Sequence, residues 1–281
     1  MLTQEFTLAD GNKLPAQGFG LYKVNEAAEL ELALKTAWES GYRLFDTAQM
    51  YGNEAAVGAA IKQTQLSRDE LFLTTKIAEA NQGYDQTLAS FEQSLQDLQV
   101  DYVDLLLVHW PLHTHFFETW RAFERLKEQG LAKSIGVSNF TMAHLQLLAT
   151  KANMMPVVDQ IELHPSLNQA AMLEFNQSQE IVTQAWAPLG RARNLDNPVL
   201  QAIATEVGRS AAQVILRWHL QHGVAIIPKS VRPERIRENA ALYDFNLSSE
   251  QMQAIDALNT FTRISQEPEL VYERGAQYPH N

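Results

Sequence analysis

Four residues of unlike chemistry stand where short apolar runs end, or just past them: Asp46 and Tyr51 in "RLFDTAQMYGNE", Lys76 in "LTTKI" and His109 in "DLLLVHW". A free tyrosine has a pKa near ~10 and is a poor proton donor at neutral pH. A lysine ammonium beside it favours the phenolate and lowers that pKa toward the working range. A carboxylate beside the lysine holds it in place and keeps it charged. A neutral histidine can then donate a hydrogen bond to a carbonyl oxygen and orient it. These are the parts of a proton-donating site for a carbonyl. Proton donation to oxygen is half of a reduction; the other half, hydride to carbon, requires a nicotinamide.

Taken singly, each residue has an ordinary reading. Asp46 can cap the helix that follows it, and Lys76 can be a surface lysine. A histidine after an apolar run is more often a hydrogen-bonded core residue than a catalyst, and Trp186 can be packing. The combination carries weight only if the fold brings these groups to one opening.

The elements that must do so recur as a unit: a short apolar run, a polar residue, then an amphipathic stretch. Strands are predicted at 15–20, 43–47, 71–76, 103–109, 134–138, 157–161, 181–186 and 224–229. Helices are predicted at 26–40, 54–64, 84–98, 116–129, 141–152, 169–178, 197–222 with a break at Gly208, 233–242 and 248–258. Leu30, Ala33, Leu34, Ala37 and Trp38 form one helical stripe, stopped by Gly41. "DLLLVHW" has the continuous apolar core of a strand buried on both faces. Ser248 with Gln251 three residues on reads as a capping box, and the Asp-Gly pair in "FTLADGNKLP" as a hairpin turn.

Strict strand–helix alternation implies a parallel sheet. Eight repeats suit an α/β fold of the (β/α)8 TIM-barrel type, with an open doubly wound sheet as the alternative. No G-x-G-x-x-G turn supports the open sheet; "GFG" at 18–20 is followed by Leu-Tyr-Lys. The whole chain, 1–281, is expected to form one domain: a hairpin at 1–14, the barrel at 15–242, and a C-terminal helix with an irregular tail at 248–281 folded over the mouth. In such a barrel the C-terminal strand ends meet at one rim. Those ends carry Tyr22, Asp46, Lys76, His109, Ser138, Asn139, Gln160, Glu162, Trp186, Lys229 and Ser230.

Composition narrows the partners. The net charge of −11 disfavours nucleic acid and anionic membrane, which call for a positive footprint. With no cysteine, disulfides, thiol nucleophiles and thiolate metal sites are excluded. The start has neither the basic nor the apolar region of a signal peptide, and no run approaches the ~18 apolar residues of a membrane span. The expectation is a cytoplasmic protein.

The chain resembles the aldo-keto reductases along nearly its whole length. The matching stretches, in the family's order, are "GFGLYK", "FDTAQMYGNE", "LTTKI", "VDLLLVHWP", "SIGVSNF", "VVDQIELHP", "QAWAPLG" and "IIPKSVRPERIRENAALYDFNLSSEQM". The resemblance implies a (β/α)8 barrel that binds NADPH or NADP+ without a Rossmann domain. It implies the tetrad Asp46, Tyr51, Lys76 and His109, with Tyr51 as general acid and His109 orienting the carbonyl. Ser138, Asn139 and Gln160 would hold the nicotinamide carboxamide, and Trp186 would stack on its ring where many relatives have tyrosine. Leu189 and its loop would pass over the pyrophosphate. Lys229, Ser230, Val231, Arg235, Glu238 and Asn239 match the adenosine end, where Arg232 adds a further charge. Tyr22 and Trp110 match the walls of the substrate pocket. The family further suggests a monomer.

The segment "PKSVRPERIREN" carries four cations against two carboxylates inside an acidic protein, which suits a 2′-phosphate and hence NADPH. The short "PLHTHFF" segment after Trp110 suggests an open site for a small aldehyde, α-ketoaldehyde or keto-sugar acid. Two other classes compete. A metal-dependent hydrolase would use Asp46, His109, His164 and Glu162, although Lys76 among them would repel a dication and no H-x-H pair occurs on an early strand, so no metal is expected. A non-catalytic binding protein would keep the barrel but often lacks a tetrad member; here all four are present.

Overall fold

Alternation along short strands sorts the interior of this protein into two cores. The structure, a computed structural model, describes residues 4–63 and 67–275. An antiparallel hairpin of β1 (Glu5–Thr7) and β2 (Lys13–Pro15) turns at Asp10–Gly11, where Gly11 takes the left-handed φ of 85°. The strands that follow are β3 (Gly18–Gly20), β4 (Leu44–Asp46), β5 (Phe72–Ile77), β6 (Val103–Val108), β7 (Ala132–Ser138), β8 (Val158–Glu162), β9 (Val182–Trp186) and β10 (Ala225–Ile226). All pair in parallel and in chain order. Gln17 bridges Ile226, the Ile226 N–H donates to Ala16 O at 2.8 Å, and the Gly20 N–H donates to Pro228 O at 3.1 Å. These contacts join the first strand to the last and give the expected (β/α)8 barrel.

Leu44, Phe72, Leu105, Leu107, Val158, Ala225 and Ile227 face the barrel axis, and the hairpin's Leu8 and Leu14 complete that cluster. The hairpin therefore plugs the end of the barrel where the strands begin. Asn12 and Asp10 tie it down, bonding Ser134 and Lys127 respectively. Gly136 makes room within the inner layer, because a Cβ there would lie 2.6 Å from Val158 O and 2.8 Å from the Leu107 side chain. The intervening residues, such as Phe45, Leu73, Leu106 and Ile161, pack outward on the helices in a second, larger core.

The helices are α1 (Ala27–Glu39), α2 (Glu54–Gln63), α3 (Tyr84–Leu98), α4 (Phe116–Glu128), α5 (Met142–Ala149), α6 (Ala170–Ser178), α7 (Pro198–Val207), α8 (Ala211–Gln221), α9 (Pro233–Ala240), α10 (Ser249–Asp256) and α11 (Pro268–Arg274). The break at Gly208 falls between α7 and α8, with φ of 64°, and Ser210 caps α8. The Ser248–Gln251 capping box opens α10.

Three expectations need correction. The strand expected at 15–20 is two elements: β2 ends at Pro15, whose nitrogen cannot donate to a ladder, and β3 begins at Gly18. The strand expected at 224–229 keeps ladder pairing over two residues before Pro228 interrupts it. The tail is not irregular throughout, since Pro268 at the first position opens α11. Seven residues are too few to display a helical period, so the sequence hid it. The start of the 1–14 hairpin (residues 1–3), the end of the 54–64 helix (residue 64) and the tail beyond 275 lie outside the described residues.

The described tail lies against the rim. The amides of Thr260 and Thr262 donate to Ser166 O, and that of Ile264 donates to Glu162 Oε1 at 2.7 Å. Val271 packs with Trp110 and Leu112. Among the described residues no helix is long and apolar enough to cross a membrane.

Candidate active site

The alternation that turns Leu44, Leu107 and Val158 inward turns the residues two positions on inward as well. These are Asp46, His109 and Gln160, one layer nearer the rim, and Lys76, Ser138, Gln184 and Trp186 join them from β5, β7 and β9. Tyr51 arrives from a 3-10 turn, Gln49–Tyr51, just after β4. That turn is pinned from both sides. Gln49 Oε1 accepts the Ala78 N–H at 2.9 Å, and Asn53 donates to Leu21 O and Val24 O.

The four candidate catalytic groups meet. Lys76 Nζ donates to Asp46 Oδ1 at 2.5 Å and to Thr47 O at 2.9 Å, and it lies 3.4 Å from Tyr51 Oη. The His109 ring stands edge-on to Tyr51, with centroids 5.8 Å apart, and Tyr22 packs on the other side at 5.1 Å. Lys76 is 0% exposed and sits beneath the floor of a cavity of about 1040 Å³ that Asp46, Tyr51 and His109 line. Burial pulls the Lys76 ammonium below its usual pKa, and the adjacent Asp46 carboxylate opposes that pull.

Tyr51 departs from the expectation of a lowered pKa. Burial first, then the charge of Asp46, hold its phenol well above the ordinary value. The reason is geometric. Lys76 is neutralised by a carboxylate at 2.5 Å, so at 3.4 Å the phenol faces an ion pair and not a bare cation. The resting site thus keeps Tyr51 protonated.

Beside the tetrad lies an amide end. Asn139 adopts a left-handed φ of 62° and is fixed at both ends of its side chain. Its Oδ1 accepts the Trp186 indole N–H at 2.8 Å, and its Nδ2 donates to His109 O at 3.0 Å. The Ser138 hydroxyl donates to Gln160 O at 2.7 Å. Ser138, Asn139, Gln160 and Trp186 all line the cavity, as do Tyr22 and Trp110 of the expected substrate wall.

The far end of the same cavity is cationic. Lys229, Ser230 and Arg235 line it together with Leu189, Glu238 and Asn239. Arg232 and Arg237 are exposed but do not line it. The Val231 side chain packs against the hydrophobic core instead of lining the cavity. Sequence reasoning missed several lining residues: Arg191, with a left-handed φ of 51°, and Ser265 and Gln266 of the tail. Arg191 had a signal, a cation two residues past Leu189; the tail residues had none. Glu162 and His164 bond each other at 3.0 Å while Asp46 pairs with Lys76, so the residues of the metal-dependent reading do not assemble.

The family model described as "Aldo/keto reductase family" matches residues 16–260. The glyoxal reductase of Bacillus subtilis (strain 168) is 47% identical over 262 residues, covering 93% of this chain and 95% of that protein. The methylglyoxal reductase DkgA of Yersinia pestis is 43% identical over 267 residues, covering 94% and 95%. A solved aldo-keto reductase from Bombyx mori in complex with NADP superposes with a TM-score of 0.91 at 32% identity, covering 96% of this chain and 97% of that one. With the barrel, the clustered tetrad and these likenesses in agreement, the chain belongs to the aldo/keto reductase family.

Proposed function

We propose that this protein reduces a small aldehyde, α-ketoaldehyde or keto-sugar acid to the alcohol with NADPH, Tyr51 giving the proton. The observation that carries this reading is the Lys76 ammonium held between Asp46 and the Tyr51 hydroxyl beneath the floor of the cavity. The glyoxal and methylglyoxal reductases among its relatives support the small-carbonyl class. The cavity fits a dinucleotide in its donor set: amides and an indole at one end, Lys229 and Arg235 at the other.

The nicotinamide, when bound, supplies hydride to the carbonyl carbon. His109 donates a hydrogen bond that orients the carbonyl oxygen toward Tyr51. As negative charge grows on that oxygen, the proton leaves Tyr51 Oη for it. The phenolate left behind is offset by the Lys76 ammonium, which Asp46 keeps charged. Ser138, Asn139 and Gln160 hold the carboxamide, and Trp186 supports the ring face. Lys229, Ser230 and Arg235 take the 2′-phosphate, with Glu238 and Asn239 on the adenosine. The backbone at Val231 completes that end, while Leu189 and its loop cover the pyrophosphate. Tyr22 and Trp110 wall the substrate.

The same reading makes the chain a single-domain monomer of the cytoplasm, consistent with its lack of cysteine. An NADPH-oxidation screen over aldehydes, α-ketoaldehydes and keto-sugar acids tests it. Turnover with small carbonyls is expected, and a purified, folded protein that oxidises NADPH with none of them would overturn it.

A further inference from the structure

Gln160 and Gln184 stand opposite one another in the β8–β9 ladder, both facing the barrel axis and both buried. Gln160 Nε2 lies 2.7 Å from Asp46 Oδ2 and 2.7 Å from Gln184 Oε1. One charge dictates this order. Asp46 is ion-paired with Lys76, so its carboxylate can only accept. The Gln160 atom facing it must therefore be the NH2 group. Its second hydrogen goes to Gln184, which must answer with its carbonyl oxygen. Gln184 Nε2 is then left buried with no hydrogen-bond partner, an unfavourable arrangement that an apolar residue there would avoid. What Gln160 retains for the cavity it lines is Oε1, an acceptor.

We propose that Gln184 is a positioning residue that, with Asp46, locks the Gln160 amide with its oxygen toward the cavity, so that the site selects a pyridine-ring substituent bearing an N–H donor. The proposal rests on the cofactor reading above. Without the Gln184 acceptor, the second Gln160 hydrogen loses the partner it has inside the barrel. The amide then gains by rotating that hydrogen, instead of Oε1, toward the ligand. The selectivity for a donor should fade, while the cationic end of the cavity is untouched.

Three probes separate these effects in calorimetric titrations. NADP+ carries the donor, 3-acetylpyridine adenine dinucleotide phosphate replaces the NH2 by a methyl group, and 2′,5′-ADP reads the adenosine end alone. Wild type should favour NADP+ over the acetylpyridine analogue by roughly 10-fold, the effect of one hydrogen bond. In Gln184→Met that ratio should fall to about 1 through lost NADP+ affinity, with 2′,5′-ADP binding unchanged. General damage to the fold would instead weaken all three together. Gln184→Glu keeps an acceptor against Gln160 and should restore the ratio. Should Gln184→Met not fold, Asp46→Asn removes the ordering charge and should collapse the same ratio. Equal wild-type binding of the two dinucleotides, or an unchanged ratio in the variants, overturns the proposal. A wild type that binds none of the three overturns the cofactor reading and this proposal with it.

Discussion

Lys76 holds its ammonium 3.4 Å from the hydroxyl oxygen of Tyr51. The phenol nevertheless stays protonated, because burial and Asp46 raise its pKa well above 10.0. The acid form is the working form, so activity is present below the Tyr51 pKa and lost above it. The rate of carbonyl reduction should be flat through neutral pH, and a limb set by Tyr51 should fall on the alkaline side of the ordinary tyrosine value. Tyr51→Phe should lower kcat by about 10²–10⁴ with little change in cofactor Kd. Steady-state profiles against a good aldehyde check both points; a limb near neutrality, or retained turnover, counts against Tyr51.

Lys76 and Asp46 should act as one unit. Lys76→Met strands a buried carboxylate, so it should abolish turnover and also cost about 3–5 kcal/mol of stability. Asp46→Asn should impair turnover less. In the double variant the barrier increases should fall well short of the sum of the singles, as groups sharing a role do. Additive increases in kcat effects would separate the two residues.

Arg235 lines the cationic end of the cavity beside Lys229 and Ser230. A charge-assisted hydrogen bond contributes roughly 1.5–3 kcal/mol, so Arg235→Ala should weaken NADPH by about 10- to 100-fold and NADH far less. Wild-type preference for NADPH should shrink as salt is raised. Fluorescence-quenching Kd values for both cofactors decide it, and an equal loss would mean that Arg235 does not read the 2′-phosphate.

His219 on α8 lies between two backbone acceptors, Ile215 O at 2.8 Å and Leu163 O at 3.0 Å. Burial still dominates and pushes its pKa down to about 4 from 6.5. A depressed folded-state value means that the unfolded chain binds the proton first. Stability from this residue is therefore complete above pH 6.5 and declines as pH falls toward 4. Between pH 7 and pH 4.5 the wild type should lose about 2–3 kcal/mol more than His219→Gln. Urea unfolding of both proteins at the two pH values gives that difference directly, and parallel losses would place the acid sensitivity elsewhere.

Much of the site was legible because strand ends and period-two alternation are local. Asp46, Lys76 and His109 could be placed on one rim from the apolar runs before them. Gln184 was legible in principle, two residues before Trp186 on the same face. Its bond to Gln160 depends on a cross-strand register that no local pattern encodes. The direction of the Tyr51 pKa depends on how closely Asp46 approaches Lys76, a distance and not a composition. Val231 looked like its cofactor-end neighbours in sequence, and only the path of the chain into α9 sends its side chain to the core.

The pairing of Gln17 with Ile226 joins residues about 200 positions apart. Loop-closure entropy makes such a contact slow to form, so the barrel shuts late in folding. Until it does, β3 and β10 are bare edges with unmet amides and carbonyls, open to pairing with another chain. A nascent protein that has not yet emerged through residue 228 is thus more prone to aggregate than the complete barrel. Pulse-labelled hydrogen exchange during refolding should find the Gly20 and Ile226 amides among the last protected; early protection there would mean that closure leads the assembly instead of sealing it.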